Sequence, residues 1–267
     1  MRRAPLLAVV LLASACAGAP TGGPDAPFVV TPHELGDAML RLAGVTASDV
    51  VFDLGSGDGR LVIAAARVYG ARGVGVEIDP QLVKRSRDSA LTGGVADRVT
   101  IHWQDIFVTD IRQASVVTLY LGEDVNVRLR PKLLRETRPG TRVVSNTFGM
   151  GDWTPDRVEH VRLRDGERTL YYWVVPADVA GAWRVMLQHG ADLGATLTLA
   201  QRFQRLTGTL ARDGRVDPIT DGVVAGDRIR FGVGRLTFEG GVTGNAASGR
   251  LTSPEAAPLG WTASRAR

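Results

Sequence analysis

Apolar runs alternate with amphipathic segments along the first two thirds of the chain. Five short apolar runs predict strands, at 50–54, 73–77, 98–102, 115–121 and 141–146. Helical spacing between these runs predicts helices at 60–69, 80–91 and 123–137. Two further strand patterns, 158–164 and 169–175, flank an Asp-Gly turn and predict a hairpin. We therefore expect an α/β domain with a Rossmann-like, doubly wound seven-stranded sheet.

A further helix is predicted ahead of the first strand. The segment Thr31-Pro32-His33-Glu34 has the pattern of a capping box, with proline at the first helical position. Leu35, Met39 and Leu42 follow on one face. The globular part of the chain is thus expected to begin near residue 28.

The pattern changes after Pro176. Short strand-like runs separated by glycine-containing turns occur at 182–188, 196–201, 205–211, 228–233, 236–238 and 261–263. We expect a small antiparallel β-domain or barrel fragment, with 245–249 and 252–258 as loops and a disordered arginine-ended tail. The chain then divides into a leader and linker (1–27), an α/β domain (28–177) and a β-rich domain (180–267).

The turn after the first strand carries the strongest chemical signal. Asp53 ends the apolar run, and glycines follow at 55, 57 and 59 before a helix starts. Such a turn lets the backbone approach a nucleotide-like ligand closely and points helix N–H groups at it. The spacing is not the G-x-G-x-x-G of a dinucleotide site. A leading carboxylate suits a cofactor with a cationic end, which favours S-adenosylmethionine over NAD.

Carboxylates also follow the next two strands. Glu77 lies one βαβ step beyond the glycine turn, where it can accept hydrogen bonds from both ribose hydroxyls. Asp105 can accept from the adenine amino group, with Ile78 and Ile106 on either side of the ring. Asp79 follows Glu77 at the same strand end. The sequence therefore predicts one nucleoside site along neighbouring strand ends.

Each acid also has a purely structural explanation. Asp53 can be a charge near a helix N-terminus, Glu77 or Asp79 can cap the helix from Pro80, and Asp105 can be a solvated loop carboxylate. Capping explains each of them singly. It explains acids at three successive strand ends less readily.

Composition narrows the choice of partner. The net charge is +4, but the chain has only two lysines, Lys84 and Lys132, and its arginines are scattered. No basic run is present, so we do not expect nucleic-acid binding. The four histidines lack ligand spacing and the chain has a single cysteine, so no metal site is predicted.

That cysteine follows a leader-like segment. Basic residues at 2–3 precede an apolar run at 6–12, and small residues at 13–15 come directly before Cys16. This arrangement resembles a bacterial lipoprotein signal, which implies lipidation at Cys16 and attachment to a membrane surface. An ordinary cleaved signal or a mis-assigned start codon are the alternatives. If the leader is not a working export signal, a cytoplasmic location is expected.

Four segments carry a family resemblance: 28–32, 53–60, 75–80 and 140–145. With them, the chain resembles class I S-adenosylmethionine-dependent methyltransferases. It is most similar to the membrane-associated enzymes that methylate lysine in the c subunit of ATP synthase or in the adenine nucleotide translocator, and to their bacterial relatives. The resemblance implies that Thr31 and Pro32 line the methionine end of the cofactor, and that substrate enters near Tyr120, Ser145 and Phe148. It also assigns cofactor contacts to the glycine turn, at Gly55, Ser56, Gly57, Asp58 and Gly59.

These observations favour N-methylation of a protein lysine by in-line displacement, with Tyr120 orienting the amine. The strand before Gly122 lacks the Asn-Pro-Pro-Tyr of base-amino methyltransferases. Two alternatives stay open. One is a small-molecule or lipid methyltransferase on the same fold. The other is a non-catalytic nucleoside-binding module with an interaction β-domain.

Overall fold

The computed structural model describes residues 29–187, 192–255 and 257–266. The leader with Cys16, and also Phe28 and His189, lie outside these ranges. Within them, no helix is long and apolar enough to span a bilayer.

The first domain is an α/β sandwich built on one mixed sheet. Its helices are α1 (His33–Leu42), α2 (Arg60–Tyr69), α3 (Pro80–Thr92) and α4 (Glu123–Glu136). Its strands are β1 (Val50–Leu54), β2 (Arg72–Glu77), β3 (Val99–Trp103), β4 (Val116–Leu119), β5 (Arg142–Asn146), β6 (Arg157–Leu163) and β7 (Gly166–Val174). The sheet order is β3-β2-β1-β4-β5-β7-β6, with β1 to β5 parallel and β7 antiparallel to both its neighbours. The predicted seven-stranded Rossmann-like sheet is confirmed.

The strand order fixes where a ligand can bind. From β1 the chain moves outward to β2 and β3, then returns to place β4 on the other side of β1. The connections that follow β1 and β4 therefore diverge and leave a crevice at the carboxyl ends of these strands. Asp53 lies near the end of β1, and Tyr120 directly follows β4.

Both faces of the central strands are buried, which explains their continuous apolar character. Val51, Val116 and Val144 pack on one face against α1 and α2. The opposite face packs against α4, through Leu129 and Leu133, and against the segment carrying Trp153. Successive residues of one strand thus pack on opposite faces of the sheet. This alternation decides which side of the crevice each side chain at a strand end reaches.

The second domain is a closed eight-stranded antiparallel barrel, more than the fragment that the sequence suggested. Its strands are β8 (Gly181–Leu187), β9 (Asp192–Arg202), β10 (Arg205–Arg212), β11 (Arg215–Ala225), β12 (Arg228–Val233), β13 (Leu236–Thr243), β14 (Ala246–Thr252) and β15 (Leu259–Arg265). Each strand pairs with the next along the chain, and β15 pairs with β8 to close the circle. Trp183, Phe231, Phe238 and Trp261 fill the interior.

Three sequence predictions are wrong in this region and at α1, and one strand was missed. The predicted loop at 245–249 falls largely within β14. Gly249 pairs there with Gly240 of β13, and a Cβ at Gly249 would meet the Glu239 carbonyl at 1.9 Å, so the close packing of this strand requires glycine. β11 was not predicted at all. The tail, predicted to be disordered, is strand β15 as far as Arg265. At α1 the N-cap is Pro32, and Thr31 makes no side-chain cap.

The two domains meet through hairpin turns of the barrel. The β9–β10 turn brings Phe203 onto Trp153, with ring centroids 5.8 Å apart. At the β11–β12 turn, Gly226 accepts a hydrogen bond from Ala177 N at 2.7 Å and lies against Gly140. The barrel therefore attaches beside the amino end of β5, at the end of the sheet opposite to the crevice.

Candidate active site

The glycine turn has a backbone that only glycine adopts readily. Gly55, Gly57 and Gly59 have φ values of +79°, +54° and +75°. At Gly59 an added Cβ would meet the Ser86 Cβ at 2.9 Å. The turn is tied to β2, because Gly55 N and Ser56 N both donate to the Val76 carbonyl, at 2.9 and 3.0 Å.

Glu77 holds the turn from the neighbouring strand. Its Oε2 accepts from Gly57 N at 2.8 Å, and its Oε1 accepts from Ile78 N and Asp79 N at 2.8 and 2.9 Å. The side chain is buried. Each carboxylate oxygen has two lone pairs, so one acceptor site remains, on Oε2, for a ribose hydroxyl. The sequence predicted the ribose role but not this structural one.

Asp53 is buried, and the Thr118 hydroxyl donates to its Oδ1 at 2.7 Å. Burial raises the pKa of this carboxyl to about 7, and the charges of Glu77 and Asp58 push in the same direction while the Thr118 hydrogen bond opposes them. A cation placed in the cleft would reverse this shift. The carboxylate is therefore set to respond to a positively charged ligand.

Asp58 and Arg60 fasten the N-terminal segment over the cleft. The two side chains form an ion pair at 2.6 Å, and the Arg60 Nη1 donates to the Thr31 carbonyl at 2.8 Å. The pKa of Asp58 is lowered, chiefly by the hydrogen bond from Arg60. Thr31 is thus held as a wall of the cleft through a residue at the start of α2.

Two of the predicted acids also do the structural work that the sequence left open. Asp79 is the N-cap of α3, where its Oδ1 accepts from Gln81 N at 2.7 Å. The Asp105 Oδ1 accepts from Phe107 N at 2.8 Å and shapes the turn after β3. Both nevertheless line the cleft. Capping and ligand contact are compatible at these positions, since a carboxylate can accept several hydrogen bonds.

One cleft collects most of the predicted site residues. It is lined by Thr31, Asp53, Gly55, Ser56, Gly57, Asp58, Glu77, Ile78, Asp79, Asp105, Ile106 and Tyr120. Pro32 and Gly59 are not in its lining: Pro32 caps α1 and Gly59 precedes α2. Residues that sequence reasoning missed also line it, namely Val29, Met39, Arg60, Leu61, Leu82, Leu119 and Leu121.

Beyond the glycine turn, Tyr120 lines the cleft and is backed by Phe148, which is not itself in the lining. Tyr120 stacks on Phe148, with ring centroids 6.1 Å apart. Phe148 is held in place from α4, because the Asn126 Nδ2 donates to the carbonyls of Phe148 and Gly149 at 3.3 and 3.1 Å. Ser145 Oγ donates to the same Phe148 carbonyl at 2.7 Å. The predicted substrate-side residues Tyr120, Ser145 and Phe148 are therefore brought together.

The residues present fit S-adenosylmethionine. Ser56 lines the cleft, but its buried Oγ packs towards Gly75 of β2, so the fit depends on the backbone of the turn and on the acids. The glycine turn leaves its backbone open to the cleft, and Glu77 and Asp53 offer acceptors at either end. The cleft thus provides an acceptor for a ribose hydroxyl and a carboxylate for the cationic end.

Fold and cleft together define a class I S-adenosylmethionine-dependent methyltransferase. More narrowly, the chain belongs to the family described as the ANTKMT methyltransferase domain, which its residues 53–157 match. Among similar proteins, one from Saccharolobus islandicus named protein-lysine N-methyltransferase is 39% identical over 155 residues, or 57% of this chain and 95% of that protein.

Two further similarities place the α/β domain. The human lysine N-methyltransferase named for the C subunit of ATP synthase is 39% identical over 132 residues, which cover 49% of this chain and 56% of the human protein. The chain thus spans just over half of that relative. A crystal structure of an RNA methyltransferase from Salinibacter ruber, in complex with S-adenosyl-L-homocysteine, is 54% identical with a TM-score of 0.54, covering 57% of this chain and 96% of that one.

Proposed function

We propose that this methyltransferase modifies the ε-amine of a lysine in a protein. The observation that carries the proposal is the acceptor side of the cleft, where Tyr120, backed by the Phe148 ring, forms a wall beside the start of α4. Glu123 and Asp124 are in the first turn of that helix, and the Glu123 carboxylate lies near Gly149. Aromatic faces and carboxylates attract an approaching lysine cation.

The naming of relatives agrees with this proposal. The Saccharolobus protein, matched over nearly its whole length, and the human protein are both named lysine N-methyltransferases. Small-molecule or lipid methylation and a non-catalytic role lack comparable support. The role of Tyr120 as an orienting residue stays part of the proposal.

The chain's own residues mainly have to position the reactants. When bound, the cofactor supplies an electrophilic methyl group on a sulfonium. Asp53 and Glu77 would hold its cationic end and ribose, and Tyr120 would confine the acceptor. The lysine ammonium would first lose a proton to water. The neutral amine would then form the new C–N bond while the C–S electron pair leaves with sulfur, giving a methylated ammonium.

RNA is the second candidate acceptor, because the Salinibacter protein, 54% identical, is named an RNA methyltransferase. The carboxylates beside the acceptor wall favour the lysine, since they repel a phosphate backbone. The test is transfer of tritiated methyl groups to poly-L-lysine, with poly-L-arginine as matched control and total tRNA as competitor. Label in methyl-lysine supports the proposal, and label only in tRNA overturns it.

The enzyme itself adds little background to this assay. Lys132 is buried and paired with Glu136 at 2.7 Å, and Lys84 is exposed on α3. A Lys84→Arg variant serves as the control for self-methylation. It is expected to label poly-L-lysine as the wild type does.

We also propose that Cys16 is lipidated and holds the enzyme on a membrane surface. Support comes from the leader pattern alone, and the tether between Cys16 and the first cleft residue, Val29, is short. A membrane-attached enzyme has its cleft close to the bilayer. Export would separate the enzyme from cytosolic S-adenosylmethionine. We therefore favour an anchor that keeps the enzyme on the side of the membrane where S-adenosylmethionine is supplied.

A further inference from the structure

The turn between β9 and β10 differs from the other tight turns of the barrel. Arg202 pairs with Arg205, so Phe203 and Gln204 form a two-residue turn. Phe203 has φ +54°, a left-handed value that glycine adopts with much less strain. The other two-residue turns of the described barrel strands all contain glycine, namely those at 213–214, 226–227, 234–235 and 244–245. A bulky aromatic residue kept at a strained position indicates a role for its side chain.

The Phe203 ring packs on the core of the methyltransferase domain. It stacks on Trp153, with ring centroids 5.8 Å apart and 18° between the ring planes. The Arg130 guanidinium lies 5.1 Å from the centroid of the same ring. Beside it, Arg202 forms an ion pair with Asp152 at 2.7 Å. The β9–β10 turn therefore contacts residues on both sides of the α4 surface through a ring and a charge.

The segment 148–153, which includes Trp153, runs along α4 from the acceptor side of the cleft to the barrel. At the acceptor end, the Asn126 amide donates to the first two carbonyls of the segment. One helical turn further along α4, Arg130 Nη1 donates to the Met150 carbonyl at 2.7 Å. Gly151 is packed closely here, since an added Cβ would lie 3.4 Å from the same Arg130 nitrogen. The segment is thus fastened to the helix at both ends.

At the acceptor end, the segment reaches the cleft through Phe148. The Phe148 ring backs Tyr120, which lines the cleft. The Phe148 carbonyl accepts from Asn126 Nδ2 at 3.3 Å and from Ser145 Oγ at 2.7 Å. The glycine turn has a separate support, because it is tied to the Val76 carbonyl of β2. A shift of the segment should therefore disturb the support of Tyr120 and leave the cofactor contacts in place.

From this continuous series of contacts, we propose that Phe203 is a positioning residue of the methyltransferase. Acting through Trp153 and the segment 148–153, it holds Tyr120 in place for the acceptor. The inference rests on the proposed function, which makes Tyr120 a wall for the acceptor lysine. It gives the barrel a task in methyl transfer, namely to support the acceptor side from the far end of α4.

The experiment compares wild type with Phe203→Gly and Phe203→Tyr, and uses Asn245→Gly, in the exposed β13–β14 turn, as matched control. Phe203→Gly relieves the strain of the turn but removes the ring, whereas Phe203→Tyr keeps the ring. Affinity for S-adenosylhomocysteine, measured by calorimetry, should stay within twofold in all four proteins.

Steady-state kinetics with poly-L-lysine separate positioning from general damage. In Phe203→Gly, KM for poly-L-lysine should rise at least fivefold, with a smaller change in kcat, because the acceptor wall is no longer held. A merely damaged enzyme would show a lower kcat at unchanged KM. Phe203→Tyr and Asn245→Gly should stay within twofold of wild type in both constants.

Amide hydrogen exchange followed by NMR tests the same connection without an acceptor. The Phe148 amide, which donates to the Asn146 carbonyl at 2.8 Å, should exchange at least fivefold faster in Phe203→Gly. The Gly59 amide, which donates to the Ser56 carbonyl at 2.9 Å, should exchange as in wild type.

Unchanged exchange at Phe148 in Phe203→Gly would overturn the inference, and so would an unchanged KM. A Tyr variant as impaired as the Gly variant, or parallel loss of S-adenosylhomocysteine binding, would also overturn it. No transfer to poly-L-lysine by the wild type would overturn the proposed function alone, and exchange at Phe148 would then decide by itself whether the barrel supports this side of the cleft.

Discussion

The indole N–H of Trp153 donates to the side-chain carbonyl of Gln204 across the domain seam, at 3.0 Å and out of contact with solvent. The same glutamine donates from Nε2 to the Thr154 carbonyl at 2.7 Å. Trp153 itself stacks against Phe203 of the barrel and packs on Trp173 of β7. One polar side chain of the barrel therefore pairs with a buried indole N–H and with the Thr154 carbonyl of the methyltransferase domain.

Gln204→Ala should destabilise the protein by about 1–3 kcal/mol, because it leaves the Trp153 N–H and the Thr154 carbonyl without their partner. Urea unfolding followed by tryptophan fluorescence measures this change. Gln113→Ala, in an exposed loop, is the matched control and should have little effect. A midpoint unchanged in Gln204→Ala would show that the seam does not depend on this glutamine.

Cofactor affinity should depend on pH through Asp53. With its pKa near 7 in the free protein, the carboxyl is mostly neutral at pH 6 and mostly ionised at pH 8. The ionised form attracts a cationic ligand, so S-adenosylmethionine should bind about tenfold more tightly at pH 8 than at pH 6. Calorimetry on wild type and Asp53→Asn tests this, and an equally steep pH dependence in the variant would contradict it.

The same shift predicts an effect on stability. The folded pKa of Asp53 is raised above its ordinary value of 3.8, so the ligand-free protein loses stability as pH rises between those two values and stays less stable above them. Asp53→Asn removes the buried charge. We expect the variant to exceed wild type in free energy of unfolding at pH 8, with a smaller difference at pH 4. The reverse order would show that Asp53 is stabilised as a carboxylate.

Glu77→Gln should weaken S-adenosylhomocysteine binding by about 1–3 kcal/mol. The amide nitrogen that replaces one carboxylate oxygen cannot accept from backbone N–H groups, and the charge that strengthens bonds to ribose hydroxyls is lost. Calorimetry gives the affinity. Glu167→Gln, exposed in the β6–β7 hairpin, is the control, and equal affinity in both variants would argue against the ribose site.

Arg60→Ala should release the N-terminal wall of the cleft. The variant loses both the Asp58 ion pair and the hydrogen bond to the Thr31 carbonyl, so hydrogen exchange at 33–36 should accelerate and S-adenosylhomocysteine affinity should fall about tenfold. Arg67→Ala, exposed on the same helix, is the control. Unchanged exchange in Arg60→Ala would mean that other contacts hold this segment.

Lipidation at Cys16 is tested directly by metabolic labelling in a bacterial host. Labelled palmitate should appear on the wild-type protein and be lost in Cys16→Ala. The protein should also partition with membranes only when Cys16 is present. Absence of label from both proteins would remove the anchoring proposal.

The α/β domain was predictable because its strands are buried on both faces and its helices are amphipathic. Asp53, Glu77 and Asp105 could be placed in one cleft for the same reason, since parallel strand ends converge. The role of Arg60 could not be predicted, because it depends on a contact with Thr31 that no local pattern reveals. In the barrel, β14 was missed because its small residues carry weak strand propensity and are fixed by close packing around Gly240 and Gly249.

Closure of the barrel limits how another protein can attach to it. Every barrel strand is already paired on both sides, so within the described strands no row of backbone donors and acceptors is open there to β-augmentation by a partner peptide. The edges of the described sheets are β3 and β6, and both belong to the α/β domain. A partner recruited by the barrel must therefore recognise its outward side chains or its hairpin tips.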